Sequence, residues 1–199
     1  EWNRILFYGD ADHGLQGWLT NANIPKVVPS SSAGNTSWLD SNGALRKTAA
    51  EVLSDLNGLV NSVVTLTNER HKPDRVVLPV EHYSVIASTN AGMGTDTTIL
   101  KFFEINNPYM SEGSVVPANE LSQAQLAAVG LSGSSTGQFE GNIAIAYEAS
   151  PRNLSFEMPV PFEDFPPQER NLEFVVNCHS RVAGVLIYYP LSMAISEGL

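Results

Sequence analysis

The chain has 199 residues, 43% of them hydrophobic and only 16% charged, with 11 lysines and arginines against 21 acids for a formal net charge of −10. That length holds one domain, or one and a half around a shared core, with ample apolar material for an interior. The charge balance excludes a domain that grips nucleic acid by neutralising phosphates, the single Cys178 excludes a disulfide scaffold, and no apolar run approaches the roughly 20 residues of a membrane span.

The start, Glu1-Trp2-Asn3-Arg4, has neither an initiator methionine nor a signal-peptide pattern, and reads as the trimmed end of a longer chain. Arg4 to Asp10 is a short apolar run closed by a turn, a strand or the tail of a helix. Gly14, Gly17 and Trp18 to Asn21 continue as a loop. The polar stretch from Pro29 to Asn35 reads as a flexible connection near a boundary. Between Ala44 and Leu66, Ala49, Val52, Leu53, Leu56, Leu59, Val60, Val63 and Val64 recur at three- and four-residue spacings. That period predicts a helix with Lys47, Glu51, Asp55 and Asn61 on its solvent side and Asp40, Ser41 or Asn42 as its N-cap.

Asp74 to Pro79 is a compact β-branched run that predicts a buried strand, and Val80 to Ala87 a short helix laid against it. Gly92 and Gly94 break the chain before a second amphipathic helix, Thr97 to Asn106, stopped by Pro108. Ser114 to Pro117 reads as an edge strand, since proline cannot donate to a central ladder. From Gly141 onward the period changes to two. Ile143, Ile145 and Tyr147 alternate with Ala144, Ala146 and Glu148. Leu154, Phe156, Met158, Val160 and Phe162 form a second set, and Leu172, Phe174, Val176 and Cys178 a third. A fourth run covers Val182 to Tyr189, and Ser150 to Asn153 is the turn between the first two. Such alternation belongs to antiparallel strands with one buried face. The whole reads as mixed α/β followed by a β-rich third, an α+β chain without internal repeats.

Reactive constellations are sparse. Asp10-Ala11-Asp12-His13-Gly14 is the densest group of metal-ligand types, yet it lacks the third oxygen ligand and distal glutamate of a calcium loop and reads as a solvated turn. His13, His71, His82 and His179 form no paired spacing of the zinc kind. Cys178 falls on the apolar face of an alternating run, where cysteine behaves as a small buried hydrophobe, with His179 on the opposite face. The glycines at 130 and 133 lack a phosphate-loop lysine, and no Gly-x-Ser-x-Gly elbow occurs. Asn35-Thr36-Ser37 and Asn153-Leu154-Ser155 match the glycosylation pattern by chance. Glu163-Asp164 and Glu169-Arg170 read as the charged rim of a hairpin. No catalytic, cofactor-binding or metal-binding residue is assigned, and no cofactor is expected.

Several segments, in order, carry a resemblance. Arg4 to Asp10 followed by Gly14-Leu15-Gln16-Gly17-Trp18-Leu19 resembles the stretch after the long spine helix of tailed-phage major capsid proteins and encapsulins. Asn23-Ile24-Pro25 extends the match to one branch of phage capsid proteins. Met158 to Phe162, Pro166 to Phe174, and Cys178 to Ala194 resemble the C-terminal pattern of that branch of the Hong Kong 97-like fold. The resemblance implies that Glu1 lies just after the spine helix, with the N-terminal arm, extended loop and spine helix absent from this chain. It also implies a peripheral-domain segment at 1–23, an axial domain at 24–149, peripheral strands at 150–181 and a return to the axial domain at 182–199.

Some relatives cross-link subunits by a Lys–Asn isopeptide bond assisted by a glutamate. Here His179 stands at the glutamate position and Leu172 at the asparagine position, with Asn171 one residue away, so cross-linking is not expected. The function implied is a structural head protein that assembles into hexamers and pentamers around DNA, with its own copies as partners. Scaffolding, protease, portal or decoration proteins are further candidate partners, and no membrane is involved. The implied location is the virion, and the host cytoplasm during assembly. An encapsulin-like cargo shell is the runner-up. A hydrolase of mixed α/β fold is the alternative from another class, and a pocket gathering Asp10, Asp12 and a histidine would favour it.

Overall fold

The computed structural model describes residues 2–31, 36–92, 94, 96–135 and 137–199. In chain order the elements are helix α1 (Trp2–Tyr8), strands β1 (Gly9–Asp10), β2 (Leu15–Gln16) and β3 (Lys26–Val27), helix α2 (Ala49–Leu66), strand β4 (Arg75–Leu78), and helices α3 (Val80–Ser88) and α4 (Ile99–Asn106). Strand β5 (Val115–Pro117), helix α5 (Gln123–Ala128) and strand β6 (Ile143–Tyr147) follow. The chain ends with β7 (Leu154–Glu157), β8 (Val160–Asp164), β9 (Gln168–Arg170), β10 (Glu173–Val175), β11 (Cys178–Arg181), β12 (Gly184–Ile187) and β13 (Met193–Glu197). None of the described helices is long and apolar enough to cross a membrane. By its internal contacts the chain divides into two compact units, Glu1–Asn21 with Leu154–Ile187, and Ala22–Asn153 with Tyr188–Leu199.

The larger unit is built on a five-stranded mixed sheet in the order β3-β13-β6-β4-β5. β6 runs antiparallel to both neighbours, and the outermost pairs, β13 with β3 and β4 with β5, are parallel. β5 sits at the edge, as its Pro117 requires. Val76, Ala146 and Ala194 face one another in register across three strands. This row of small side chains lets α2 come close to β6 and β13, and Val52, Leu56, Leu59, Val60 and Val63 of the helix fill the space with Trp38, Ile86, Ile99 and Phe103. Val77, Ile143, Ile145 and Ile195 alternate to the opposite face and are buried as well. β6 is therefore buried on both faces, where its alternation predicts one. As the middle strand it has layers on either side, and period two alone does not count layers.

The predicted helix appears as α2 but starts later. Its N-cap is Thr48, whose hydroxyl accepts from the Glu51 N–H while the Glu51 carboxylate accepts from the Thr48 N–H, a capping box. Asp40 instead closes its own turn by accepting from the Asn42 and Ala44 N–H groups, and these hold its carboxyl below the usual range. α3 and α4 match the predicted spans within two residues. α4 is capped by the Thr98 hydroxyl and ends before Pro108.

Lys47 and Asp55 are not on a solvent face. Their side chains are 0% and 4% exposed and form an ion pair at 2.7 Å. Asp55 also accepts from the Trp38 indole N–H at 2.9 Å and from the N–H and hydroxyl of Ser30, while Lys47 donates to the Ser30 carbonyl. Ser30, Trp38 and Lys47 thus cover the helix side that the period assigns to water. Pro29 is buried and Ser30 anchored, so the stretch expected to be a flexible connection begins as a pinned one; residues 32–35 lie outside the described set.

His82 on α3 is wholly buried beside the Trp38 ring, centroids 5.8 Å apart, and neither ring nitrogen has a hydrogen-bond partner. Burial pushes its pKa down to about 4, and the nearby Leu199 backbone opposes this only in part. The unfolded chain, with an ordinary histidine near 6.5, therefore binds more protons than the folded one between pH 6.5 and 4. Stability is lost as pH falls through that window, by about 2 kcal/mol at pH 5 relative to pH 7.5 from this residue. Urea unfolding at the two pH values is expected to show this loss in the parent and not in His82→Phe. An equal loss in both would remove His82 as its source.

The smaller unit consists of α1 and short antiparallel ribbons. The first run, read as strand or helix tail, is a helix. Phe7 packs edge-on against Trp18, centroids 5.3 Å apart, and Leu19 completes the buried set. Trp18 and Leu19 donate their N–H groups to the Leu6 and Phe7 carbonyls, which ties the loop back to the end of α1. β2 and β7 flank β12 through packing and pairing respectively.

The long alternating runs after Ser150 break into pieces. Met158-Pro159 separates β7 from β8, and Asn171 and Leu172, both at positive φ, form the turn between β9 and β10. β8 pairs with β11, the Phe165 N–H donates to the Asn177 carbonyl, and β9 pairs with β10. Residues 160–181 therefore make one interrupted hairpin arm. The buried face predicted for it is absent among the described residues. Phe162, Phe165, Leu172, Phe174 and Val176 are exposed, and so is Cys178, which the alternation places in a core. Two paired strands offer no second layer, so their apolar positions have nothing to pack on.

Candidate functional site

The residues singled out from sequence are dispersed. In the smaller unit Asp10 accepts a hydrogen bond from His13 Nδ1 at 2.8 Å and another from the Asp12 N–H. The His13 contact lowers the Asp10 pKa. Asp10 and His13 border an open hollow together with Trp2, Leu15, Ser180 and Arg181, but Asp12 is not part of its wall. An ionised carboxylate tied to the histidine three residues on closes a local turn, and Ser180 shares the hollow's wall without a hydrogen bond to the pair among the described residues.

His71, in the larger unit, pairs through Nδ1 with Glu148 at 2.7 Å, and its ring lies tilted against Tyr189. The Thr67 hydroxyl accepts from its main-chain N–H. His179 stacks on Phe165 along the arm, rings 5.2 Å apart and 15° from parallel. The four histidines thus occupy four unrelated places. Among the described residues no three His, Cys, Asp or Glu side chains gather in a metal-binding group.

Glu163 and Asp164 lie opposite His179 and Cys178 in the β8–β11 ladder, and Glu169 lies opposite Phe174 in β9–β10. All four acidic and basic members of the two pairs, Glu163, Asp164, Glu169 and Arg170, are exposed along the arm, with no cleft between them. Gly130 and Gly133 belong to a loop in which Gln138 donates to the Gly130 carbonyl, and the nearby Lys26 ammonium is taken up by the Gln138 carbonyl, the Glu197 carboxylate and the Phe139 ring. Asn153 is buried, so its glycosylation pattern is unusable; Asn35 lies outside the described residues. Leu172 occupies the arm tip fully exposed, with Asn171 beside it.

Surface replaces cleft as the conspicuous feature. Phe174 is 73% exposed and Phe162 63%, on a hairpin that cannot bury them itself. Large apolar side chains exposed together on one element point to an interaction site. Sequence reading placed these residues correctly on one strand face each but assigned that face to an interior.

A family model described as "Major capsid protein" matches residues 1–199. The chain belongs to the major capsid protein family. Its fold is that of a phage capsid subunit: the structure superposes on the capsid of Myoviridae phage XM1 with a TM-score of 0.74 at 16% identity, covering 99% of this chain and 60% of that one. A second solved structure, a virus-like particle from Pyrococcus furiosus, matches with a TM-score of 0.56 at 14% identity, covering 90% of this chain and 58% of that one. At these identities the likeness is one of fold. The chain spans about 60% of the length of these capsid-fold subunits. Comparison with curated proteins returns no match.

Proposed function

We propose that this chain is shell material: the major head subunit of a tailed phage or prophage, assembling with its own copies into hexamers and pentamers around DNA. The family match over the whole chain carries the reading. The exposed apolar arm supports it, because a subunit in a closed shell buries on its neighbours what it cannot bury alone. In this reading the larger contact unit is the axial domain and the smaller one the peripheral domain, with chain crossings near residues 21, 153 and 187. The work is done by contact, not by bond-making chemistry, and the protein resides in the virion after assembly in the host cytoplasm. Scaffolding, protease, portal or decoration proteins are its further partners. The net charge of −10 supports a wall that does not hold its anionic contents.

A cargo-enclosing shell is the second reading, favoured by the likeness to the Pyrococcus furiosus particle. Particles purified from cells expressing the full-length protein in its native host background separate the two. Nuclease-protected DNA inside is expected; a single co-purifying enzyme in place of nucleic acid would transfer the assignment to the cargo shell. A soluble monomer at high concentration, with no particles, would overturn both.

A further inference from the structure

The shell reading leaves open which surfaces of the chain meet. Two unsatisfied apolar features stand out, one in each unit. The first is the arm tip. Leu172 and Phe174 project from a two-stranded ribbon with Phe162, Phe165 and Val176 exposed behind them. At roughly 150–250 Å² per large side chain, the five leave on the order of 500 Å² of mostly apolar surface. An ordinary interface buries about 800 Å² per partner, of which the arm tip would supply a part. The second feature is a hollow of about 470 Å³ at the C-terminal end of α2, with Leu66, Tyr189, Pro190 and Leu191 in its wall. Leu66, Tyr189 and Leu191 are each about half exposed.

Each feature carries one charge at its edge that suits the other, Arg70 at the hollow and Glu173 at the tip. Arg70 and His71 line the hollow, which has no carboxylate in its wall, an unusual setting on a chain with 11 basic residues against 21 acids. Glu69 is exposed nearby and Glu148 holds His71. At the tip, Glu173 and Glu169 flank Leu172 and outnumber Arg170, which lies opposite Glu173 in the ladder. Closed rings of identical subunits need head-to-tail contacts, in which two different patches of one chain fit each other on successive copies. An apolar knob edged by Glu173 and an apolar hollow edged by Arg70 on the same chain meet that requirement.

We infer that the arm tip of one copy, Leu172 and Phe174, seats in the hollow at the end of α2 on a second copy, with Glu173 facing the receiving Arg70. The inference rests on the shell reading and adds the contact that joins the subunits. The test uses the full-length protein with Cys178→Ser as background. Leu172→Cys and Leu191→Cys together, treated with a mild oxidant after assembly, are expected to yield a ladder of disulfide-linked multimers, while either variant alone yields none. A ladder from Leu172→Cys alone would mean that tips meet tips, and overturns the inference. Glu173→Arg is expected to lower particle yield about tenfold or more, with recovery on adding Arg70→Glu. Particles that form normally without the paired cross-link sink this contact and leave the shell reading standing. Absence of particles from the unmodified protein removes the shell reading, and this contact with it.

Discussion

Replacing Asp55 by alanine is expected to destabilise the larger unit by about 3–5 kcal/mol, the loss typical of stripping one partner from a buried ion pair. The carboxylate accepts from Lys47 Nζ, the Trp38 indole and both donors of Ser30, and the Lys47 side chain is fully buried. Removing Asp55 leaves the buried Lys47 ammonium with only the Ser30 carbonyl and the Trp38 indole N–H without its acceptor. Asp55→Asn keeps the shape but turns a donor toward groups that are themselves donors, so it should lose nearly as much. Lys47→Met with Asp55→Leu removes both charges and should recover a good part of the loss. Urea unfolding followed by tryptophan fluorescence reads all four proteins, and Trp38 reports the site directly. Should Asp55→Ala cost under 1 kcal/mol, the network is not buried as described. With total stabilities of about 5–15 kcal/mol, the single variant sits near the limit of folding, and the double variant keeps the comparison decidable.

Gly17→Ala is expected to cost about 3 kcal/mol or more, against about 1 kcal/mol for Gly14→Ala. The two glycines look alike in the sequence, since both punctuate the same loop. A Cβ at position 17 would lie 2.4 Å from the Gly9 nitrogen and 2.6 Å from the Phe7 carbonyl oxygen, and backbone atoms cannot swing aside. At position 14 a Cβ would meet nothing within 4 Å, and the cost is only the φ of +67°. Gly9 shares the crowding of Gly17, with the Leu15 carbonyl oxygen 2.2 Å from its would-be Cβ. The close crossing of these two backbones is what lets Trp18 reach Phe7. Near-ultraviolet circular dichroism during thermal unfolding would report the loss of that ring pair. Equal melting of the two variants would show that the crossing tolerates a methyl group.

Most of the larger unit was legible because its signals are local. α2 and α4 follow from their amphipathic patterns and the prolines beyond their ends, α3 from its place between the β4 strand and the glycines at 92 and 94, and β4 and β5 from a β-branched run and a proline at an edge. β13 escaped notice. Met193-Ala194-Ile195-Ser196-Glu197 is short and follows Pro190, yet it lies second in the sheet between β3 and β6. α5 escaped too, its six residues from Gln123 to Ala128 being polar or small apart from Leu126. For the candidate surface, the sequence displayed the apolar residues of the arm but not their exposure. The hollow was invisible, because it brings residues 66–71 and 189–191 together from far apart.

By itself, then, the amino-acid order determined where α2, α3, α4, β4, β5 and β6 lie, the lack of a clustered reactive motif in the sequence, and a capsid-like succession of segments. Tertiary structure alone decided that the charged pair Lys47 and Asp55 lies inside and that the apolar arm lies outside. Helix and strand periods arise from neighbours within about four positions, whereas burial depends on what the rest of the chain lays over a face. Ser30, Trp38 and Lys47 cover one side of α2, and among the described residues no segment of the smaller unit lies over the arm's apolar side chains.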